Sequence, residues 1–166
     1  MTDPKPAALI ADANVLIDFV ETDIEILRLL RKHLWPVYVL EAVLAEVPGL
    51  NKSRVQELGL LVVEPSVRAF QFAANRGGPL SARDRLCLAV AREMGWGCLT
   101  NDRPLEKACE REAIPVIRGL QSLLLLRECS AITRQRALQT ARAIHRSNPA
   151  HIDQGILQKF VKKLGP

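Results

Sequence analysis

The residues of this chain best suited to chemistry are acids at four separated positions, Asp12, Glu46, Asp84 and Asp102. Carboxylates brought together repel one another, so they need protons or a cation. Hard oxygen ligands with surplus negative charge favour Mg²⁺ or Mn²⁺ over zinc. Such an ion can activate water, orient a phosphodiester and neutralise charge on a leaving oxygen. Since neither a histidine-centred acid–base pair nor a serine or cysteine nucleophile beside a base is evident, metal-activated water is the nucleophile we expect.

Two of these acids, Asp12 and Asp102, each follow a short apolar run. The runs are Ala7–Ala11 and Cys98–Thr100. In a doubly wound sheet, function gathers at the carboxyl ends of the strands. A first and a fourth strand are neighbours in most such sheets, so we expect the two carboxylates side by side. Asp is also a favoured helix N-cap, and both positions precede a helix, so each acid alone could be structural.

Asp84 lies near the start of the clearest helical pattern, Ser81–Met94. Leu88 and Ala91 follow it by four and seven residues, which puts its carboxylate on the face that packs inward. A carboxylate at the end of a buried stripe needs a partner, and a cation is a suitable one. The alternative is a capping box, in which Ser81 begins the helix and the acid three residues later supports it.

The fourth candidate, Glu46, lies four residues after Ala42, on the expected inward side of a helix that reaches Val47. Glu41 competes for the same role, and we prefer Glu46. The alternative is an exposed helix acid, because this segment is apolar nearly all round.

The elements that must position these acids are short apolar runs alternating with helical patterns. The runs are Ala7–Ala11, Val37–Leu40, Leu60–Val63, Cys98–Thr100 and Ile114–Ile117. Apolar runs without polar alternation predict strands buried on both faces of a parallel sheet. We therefore expect an α/β fold, a doubly wound sheet of about five parallel strands with helices on both faces. Three later helical stripes predict a basic helical extension over residues 121–166, packed on a domain of residues 1–120.

Charge is distributed unevenly along the chain. The balance is −3 over residues 1–60, +1 over 61–117 and +7 over 118–166, for a net +5. This pattern suggests a polyanion that docks near acidic, metal-holding chemistry, although the basic residues could merely solubilise the last helices. Candidate phosphate contacts near the acids are Arg83, Arg85 and Arg103, which could instead only balance charge. A larger basic patch on a late helix comprises Arg134, Arg136, Arg142 and Arg146.

Composition argues against several classes of protein. No apolar run approaches the roughly 20 residues that span a bilayer. The N-terminal MTDPKPAALIADA lacks the basic region and long apolar stretch of a signal peptide. We therefore expect a cytoplasmic protein without a membrane partner. The four cysteines are irregularly spaced and form no CxxC pair, which argues against a zinc site and against disulfides.

Taken in order, these motifs resemble the PIN-domain family over roughly residues 7–120. They are DANVL at 12–16, an acid within EAVLAEV at 41–47, LSARDRLCLAVA at 80–91 and LTNDRPL at 99–105. The resemblance implies a Rossmann-like fold and an endoribonuclease dependent on Mg²⁺ or Mn²⁺. Its metal-binding acids would be Asp12, Glu46, Asp84 and Asp102, supported by Asn14 and Thr100. The resemblance places Asp18 at the surface or behind these acids.

Many bacterial PIN proteins are toxins of the VapC type, each paired with an antitoxin whose segment occupies the acidic groove, and they commonly form homodimers. The resemblance therefore implies RNA as substrate, with an antitoxin protein and a second copy of the chain as partners. This chain departs from the shortest such toxins in its longer, basic, helical C-terminus.

Two other functions compete with this interpretation. A phosphatase of the haloacid-dehalogenase type also begins with a strand-ending Asp, but it normally carries a second Asp where this chain has Asn14. A catalytically silent PIN fold could bind RNA or protein as a scaffold, although the intact set of four acids argues against it.

Overall fold

The computed structural model of the protein describes residues 5–166. Residues 1–4, the start of the N-terminal segment in which no signal peptide is expected, lie outside the described residues. Five strands form one sheet: β1 (Leu9–Ala11), β2 (Val37–Leu40), β3 (Leu61–Val63), β4 (Gly97–Leu99) and β5 (Val116–Ile117). All four strand pairs are parallel, and helices flank the sheet. The predicted α/β fold with a five-stranded parallel sheet is confirmed.

Helices occupy the connections between the strands and the C-terminal region. The first five are α1 (Ala13–Thr22), α2 (Glu25–His33), α3 (Glu41–Leu44), α4 (Lys52–Glu57) and α5 (Val67–Ala74). The remaining five are α6 (Ala82–Met94), α7 (Arg103–Arg111), α8 (Gly119–Glu128), α9 (Arg134–Ser147) and α10 (Gln154–Leu164). In the described part of the chain, no helix combines the length and the apolar composition needed to cross a bilayer.

The strand order β3-β2-β1-β4-β5 puts β1 in the middle of the sheet. Ile10 pairs with Tyr38 of β2 on one side and with Cys98 of β4 on the other. The chain therefore builds outward from β1 to β3, then returns to start β4 beside β1. This reversal between β1 and β4 is the switch point, where open α/β sheets leave a crevice beyond the carboxyl ends of the strands.

Burial explains why the strands read as unbroken apolar runs. Leu9, Ile10 and Ala11 of β1 are fully buried because helices cover both faces of the central strand. At the edge of the sheet, Leu61 and Val62 of β3 are exposed. The residue types therefore predicted a strand in both places, while only the sheet order decides which strand is covered.

The segment that carries Glu46 differs from the prediction. The expected helix through Val47 ends at Leu44 as α3, and Glu46 lies in the following turn with an exposed side chain. The Glu46 N–H bonds the Val43 carbonyl at 3.0 Å, a tighter spacing than an α-helix uses. Pro48 explains the early end, because a proline disfavours helical backbone at the residue before it.

The three C-terminal helices share the hydrophobic core of the sheet region. α8 packs against α2, α9 against α1, and α10 against both α8 and α9. Ile144 of α9 and Phe160 of α10 are buried in the same core cluster as Phe19 of α1. Of these three helices, α9 therefore lies against α1, the helix that follows Asp12.

Candidate functional site

Asp12 follows β1 directly and is almost completely buried, at 4% exposure. Its Oδ2 accepts a hydrogen bond from the Thr100 hydroxyl at 2.7 Å. Among the described residues, its side chain makes no capping hydrogen bond to α1. Asp12 thus occupies the N-cap position of α1, but its one geometrically regular side-chain hydrogen bond runs to the end of β4.

The surroundings of Asp12 oppose its ionisation. The pKa of Asp12 is raised from an ordinary 3.8 to about 6, mainly by burial and in addition by the charges of Asp84 and Asp102. Hydrogen bonds from Thr100 and from the Asn14 backbone act in the opposite direction. Three carboxylates thus lie within electrostatic reach of one another at the switch point. Asn14 contributes through its backbone rather than through its half-buried side chain.

Asp102 is joined to Asp12 through Thr100. The Thr100 Oγ1 accepts the Asp102 N–H at 3.0 Å while donating its own proton to Asp12. Asp102 Oδ2 accepts the Leu105 N–H at 3.0 Å and so caps α7. The capping alternative therefore holds for this acid, and one hydroxyl fixes the spacing between the two strand ends.

Asp84 lies in the first turn of α6, half-buried and facing the other acids. Its N–H bonds Ser81 Oγ at 3.1 Å, so Ser81 is the N-cap that the capping-box alternative required. Burial is the largest cause that raises the pKa of Asp84, and the charges of Asp102 and Glu46 add to it. Hydrogen bonding to Ser81 lowers it. Capping and proximity to the other acids are thus both present at Asp84.

Glu46 is the outermost of the four acids. Arg83 of α6 forms an ion pair with its carboxylate and donates from Nε to the Ala42 carbonyl at 3.1 Å. Glu41, the rival for this position, pairs instead with Lys52 of α4. It is Glu46 whose charge bears on Asp84, so the structure places Glu46 rather than Glu41 beside the other acids.

The inner part of this cluster has little compensating charge. Within residues 5–166, neither Asp12, Asp84 nor Asp102 forms an ion pair. Cys87 lies fully buried nearby, where burial and the charges of Asp12 and Asp84 raise its pKa well above the ordinary value. The Cys87 sulfur is therefore a neutral thiol, so the groups able to receive a cation are carboxylate oxygens.

As the side chains stand, each acid is held by the protein. Across residues 5–166, no three His, Cys, Asp or Glu side chains lie close enough together to hold a metal ion. Thr100 holds Asp12, and Arg83 holds Glu46. A cation would have to replace part of these contacts. The four acids fit a hard divalent ion, because their donor atoms are carboxylate oxygens and such an ion would relieve the repulsion between them.

The predicted arginine contacts separate into different environments. Arg83 is engaged by Glu46, and Arg85 Nη1 donates to the Arg76 carbonyl at 2.7 Å. Arg103, directly after Asp102, is exposed and has no ion pair within the described chain. Of the three arginines near the acids, Arg103 has the guanidinium most accessible to a phosphate.

Part of the basic patch predicted on the late helix, α9, lies near the C-terminal end of α1, far from the acids. Arg136 makes a two-bond contact with Asp23, the C-cap of α1, and Arg134 donates to the Gly165 carbonyl at 2.7 Å. α1 starts beside Asp12 and is about 15 Å long. Arg134 and Arg136 are therefore remote from the acids, whereas Arg142 lies further along α9 with an exposed side chain.

Asp18, expected at the surface or behind the acids, is buried, so the surface placement is wrong. Only 2% of it is exposed, and its carboxylate accepts from Asn101 Nδ2 at 3.2 Å and from Asn148 Nδ2 at 3.1 Å. Asn101 Oδ1 accepts in turn from Gly119 N–H at 2.9 Å. This network joins α1, the residue before Asp102, the start of α8 and the end of α9. The available signal was a lone acid within the apolar stretch NVLIDFV.

We expect Asn148→Ala to lower the free energy of unfolding by about 1–3 kcal/mol, because it leaves the buried Asp18 carboxylate short of one donor. Urea denaturation measures this loss. Gln139→Ala, at an exposed position of α9, the helix that ends just before Asn148, is the matched control and should change stability little. Equal stabilities for the two variants would show that Asn148 does not support Asp18.

Comparison of the chain with protein-family models, with curated proteins and with solved structures found no match.

Proposed function

We propose that this protein is a metal-dependent endoribonuclease of the PIN-domain type, which hydrolyses RNA phosphodiesters at Asp12, Glu46, Asp84 and Asp102. One observation carries the proposal. Asp12, at the switch point of a parallel sheet, is buried beside two further acids without an ion pair in the described chain, and its pKa is raised to about 6. An arrangement that disfavours the free carboxylate is well suited to receive positive charge.

The four acids would hold Mg²⁺ or Mn²⁺ through oxygen atoms. When bound, such an ion supplies activation of water and neutralisation of charge on the phosphodiester. The protein's own part is positioning. Thr100 orients Asp12 and fixes the backbone of Asp102, while Ser81 fixes the start of the helix that carries Asp84. Arg83 keeps the exposed Glu46 side chain beside α6.

The partners follow from the same proposal. RNA is the substrate, and by resemblance to VapC-type toxins an antitoxin and a second copy of the chain would be protein partners. We also propose a cytoplasmic location. Cys87, Cys98 and Cys109 are buried free thiols, as expected for a reducing compartment.

The test is cleavage of a mixed panel of structured and single-stranded RNAs by wild type and Asp12→Asn, with Mg²⁺, Mn²⁺ or EDTA. We expect cleavage by the wild type only with metal, and a loss of about 100-fold or more in the variant, since a ligand's effect should be at least that of its supporting residues. Glu128→Gln, at an exposed position on α8, is the control and should cut normally.

Cleavage by Asp12→Asn at the wild-type rate would refute the site. A different outcome is that the wild type cleaves nothing with either metal, while variants with the acids replaced bind RNA as well as the wild type does. In that case the catalytically silent scaffold is the better account.

A further inference from the structure

A basic cleft lies beside the carboxylate site. It has a volume of about 350 Å³ and runs between the loop Gly77–Leu80 and one face of α7. Its basic lining residues are Arg76, Arg103, Lys107 and Arg111, and none of the described residues that line it is acidic. Such a one-signed cleft attracts anions.

Helix α7 sorts its charges between two sides. Arg103, Lys107 and Arg111 recur every four residues, so they form one stripe with steps of about 6 Å along the helix. Glu106 and Glu110 face a second groove of about 720 Å³, and Arg103, at the start of the helix, lines both the cleft and this groove. That larger groove carries acids and bases together, so it is less suited to a polyanion.

The stripe residues are available to a ligand. All three are exposed, and within residues 5–166 none of them forms an ion pair. Arg76 differs, because Glu112 holds it at 2.9 Å. The positive charge free to meet an anion therefore comes from α7, and Arg76 belongs to the opposite wall.

The opposite wall contains Gly77 and Gly78, which have no side chains, and a hydrogen bond fixes the backbone just before them. Arg85 fixes the Arg76 carbonyl at 2.7 Å, just before Gly77. No described atom lies within 4 Å of the position a Cβ would take at Gly77 or Gly78, so packing within the chain does not call for small residues there. Gly78 also has φ +106°, which other residues rarely adopt. A ligand can thus approach the loop backbone closely.

The cleft and the acids share their boundary residues. Arg103 directly follows Asp102, and Leu80 directly precedes Ser81, the cap of the helix that carries Asp84. A strand whose scissile phosphate lies at the acids would therefore have its neighbouring phosphates beside α7. Steps of about 6 Å along the stripe are comparable with the separation of phosphates in an extended single strand.

We propose that the stripe of Arg103, Lys107 and Arg111 binds the backbone phosphates that flank the cleaved bond of a single-stranded RNA. This inference rests on the proposed nuclease function and names the surface that guides its substrate. Phosphate contacts of this kind position a strand without reading its bases.

The experiment measures RNA binding separately from cleavage. A fluorescently labelled single-stranded RNA is titrated with Asp12→Asn protein in EDTA, and anisotropy reports the Kd over a series of salt concentrations. Lys107→Gln with Arg111→Gln is the test pair. Lys32→Gln with Arg127→Gln removes equal charge from exposed positions on α2 and α8, neither of which lines the cleft. Urea denaturation verifies that all variants are folded.

We expect the test pair to weaken binding about 10-fold or more and to reduce the slope of log K against log salt by about 1.4, the value for two lost contacts on a single strand. The control pair should change both quantities far less. Equal effects of the two pairs on RNA binding would overturn the proposal. A test pair that binds RNA normally but has lost affinity for polyglutamate, a different polyanion, would overturn it as well.

Failure of the proposed nuclease function and failure of the proposed RNA-binding stripe give different experimental results. Because binding is measured in EDTA with Asp12 replaced, a wild type that cleaves nothing contradicts the nuclease function and leaves the binding result intact. A wild type that cleaves while the test and control pairs bind RNA alike contradicts only the assignment of the stripe.

Discussion

Replacing Asp12 by Asn is expected to stabilise the metal-free protein at pH 7 by up to about 3 kcal/mol. The pKa of Asp12 is about 6 in the folded protein against an ordinary 3.8, with burial as the main cause. This difference corresponds to about 3 kcal/mol of unfavourable ionisation in the fold. Asn keeps an oxygen that can accept from the Thr100 hydroxyl and carries no charge.

The sign of the pH dependence follows from the raised pKa. Below pH 4 the carboxyl is protonated in both the folded and the unfolded chain, so it costs nothing. Between pH 4 and 6 the unfolded chain releases this proton first, and stability falls as pH rises. Above pH 6 the cost is complete. The stabilisation by Asn should therefore be near zero at pH 4 and greatest at pH 7 and above.

Urea denaturation in EDTA at several pH values measures this difference between wild type and Asp12→Asn. Glu128→Gln removes an exposed acid and should leave the pH dependence unchanged. A stabilisation that is the same at pH 4 and pH 7 would contradict the assigned cause. Mn²⁺ at about 1,000 times its Kd should reverse the order, since an ion that binds only the folded wild type then adds about 4.1 kcal/mol.

Replacing Thr100 by Val is expected to lower the free energy of unfolding by about 2–6 kcal/mol. Thr100 is fully buried, and its hydroxyl serves the Asp12 carboxylate and the Asp102 N–H at once. Valine has nearly the same shape and leaves both groups without this partner, each at a cost of about 1–3 kcal/mol. The pKa of Asp12 should rise further, because the Thr100 hydrogen bond is the largest influence that lowers it.

Urea denaturation at pH 7 and at pH 4 measures the loss, which should shrink at the lower pH as Asp12 takes up its proton. Thr100→Ser retains the hydroxyl and should recover most of the stability despite the missing methyl group. If Ser is as destabilised as Val, packing of the methyl group rather than the shared hydrogen bonds explains the effect. Cleavage should follow the same order, with Ser more active than Val.

The sequence alone determined the layout of the sheet and the place of its strand-end acids. Unbroken apolar runs predicted parallel strands because a strand covered on both faces has no polar side. The alternation of strands and helices then left few topologies, and Asp12 and Asp102 were expected together because they follow neighbouring strands. These features depend on residue type and on short-range order, which a single sequence contains.

Only the tertiary structure decided what each acid touches. Asp12 accepts a hydrogen bond from Thr100, 88 residues away, and the buried Asp18 accepts one from Asn148, 130 residues away. Three arginines equally close to the acids in sequence have different partners, and Arg103 alone of them stays free for a ligand within the described chain. The reason is physical: a buried polar group bonds to whatever donor the packing brings near it, and packing joins segments that local sequence patterns do not relate.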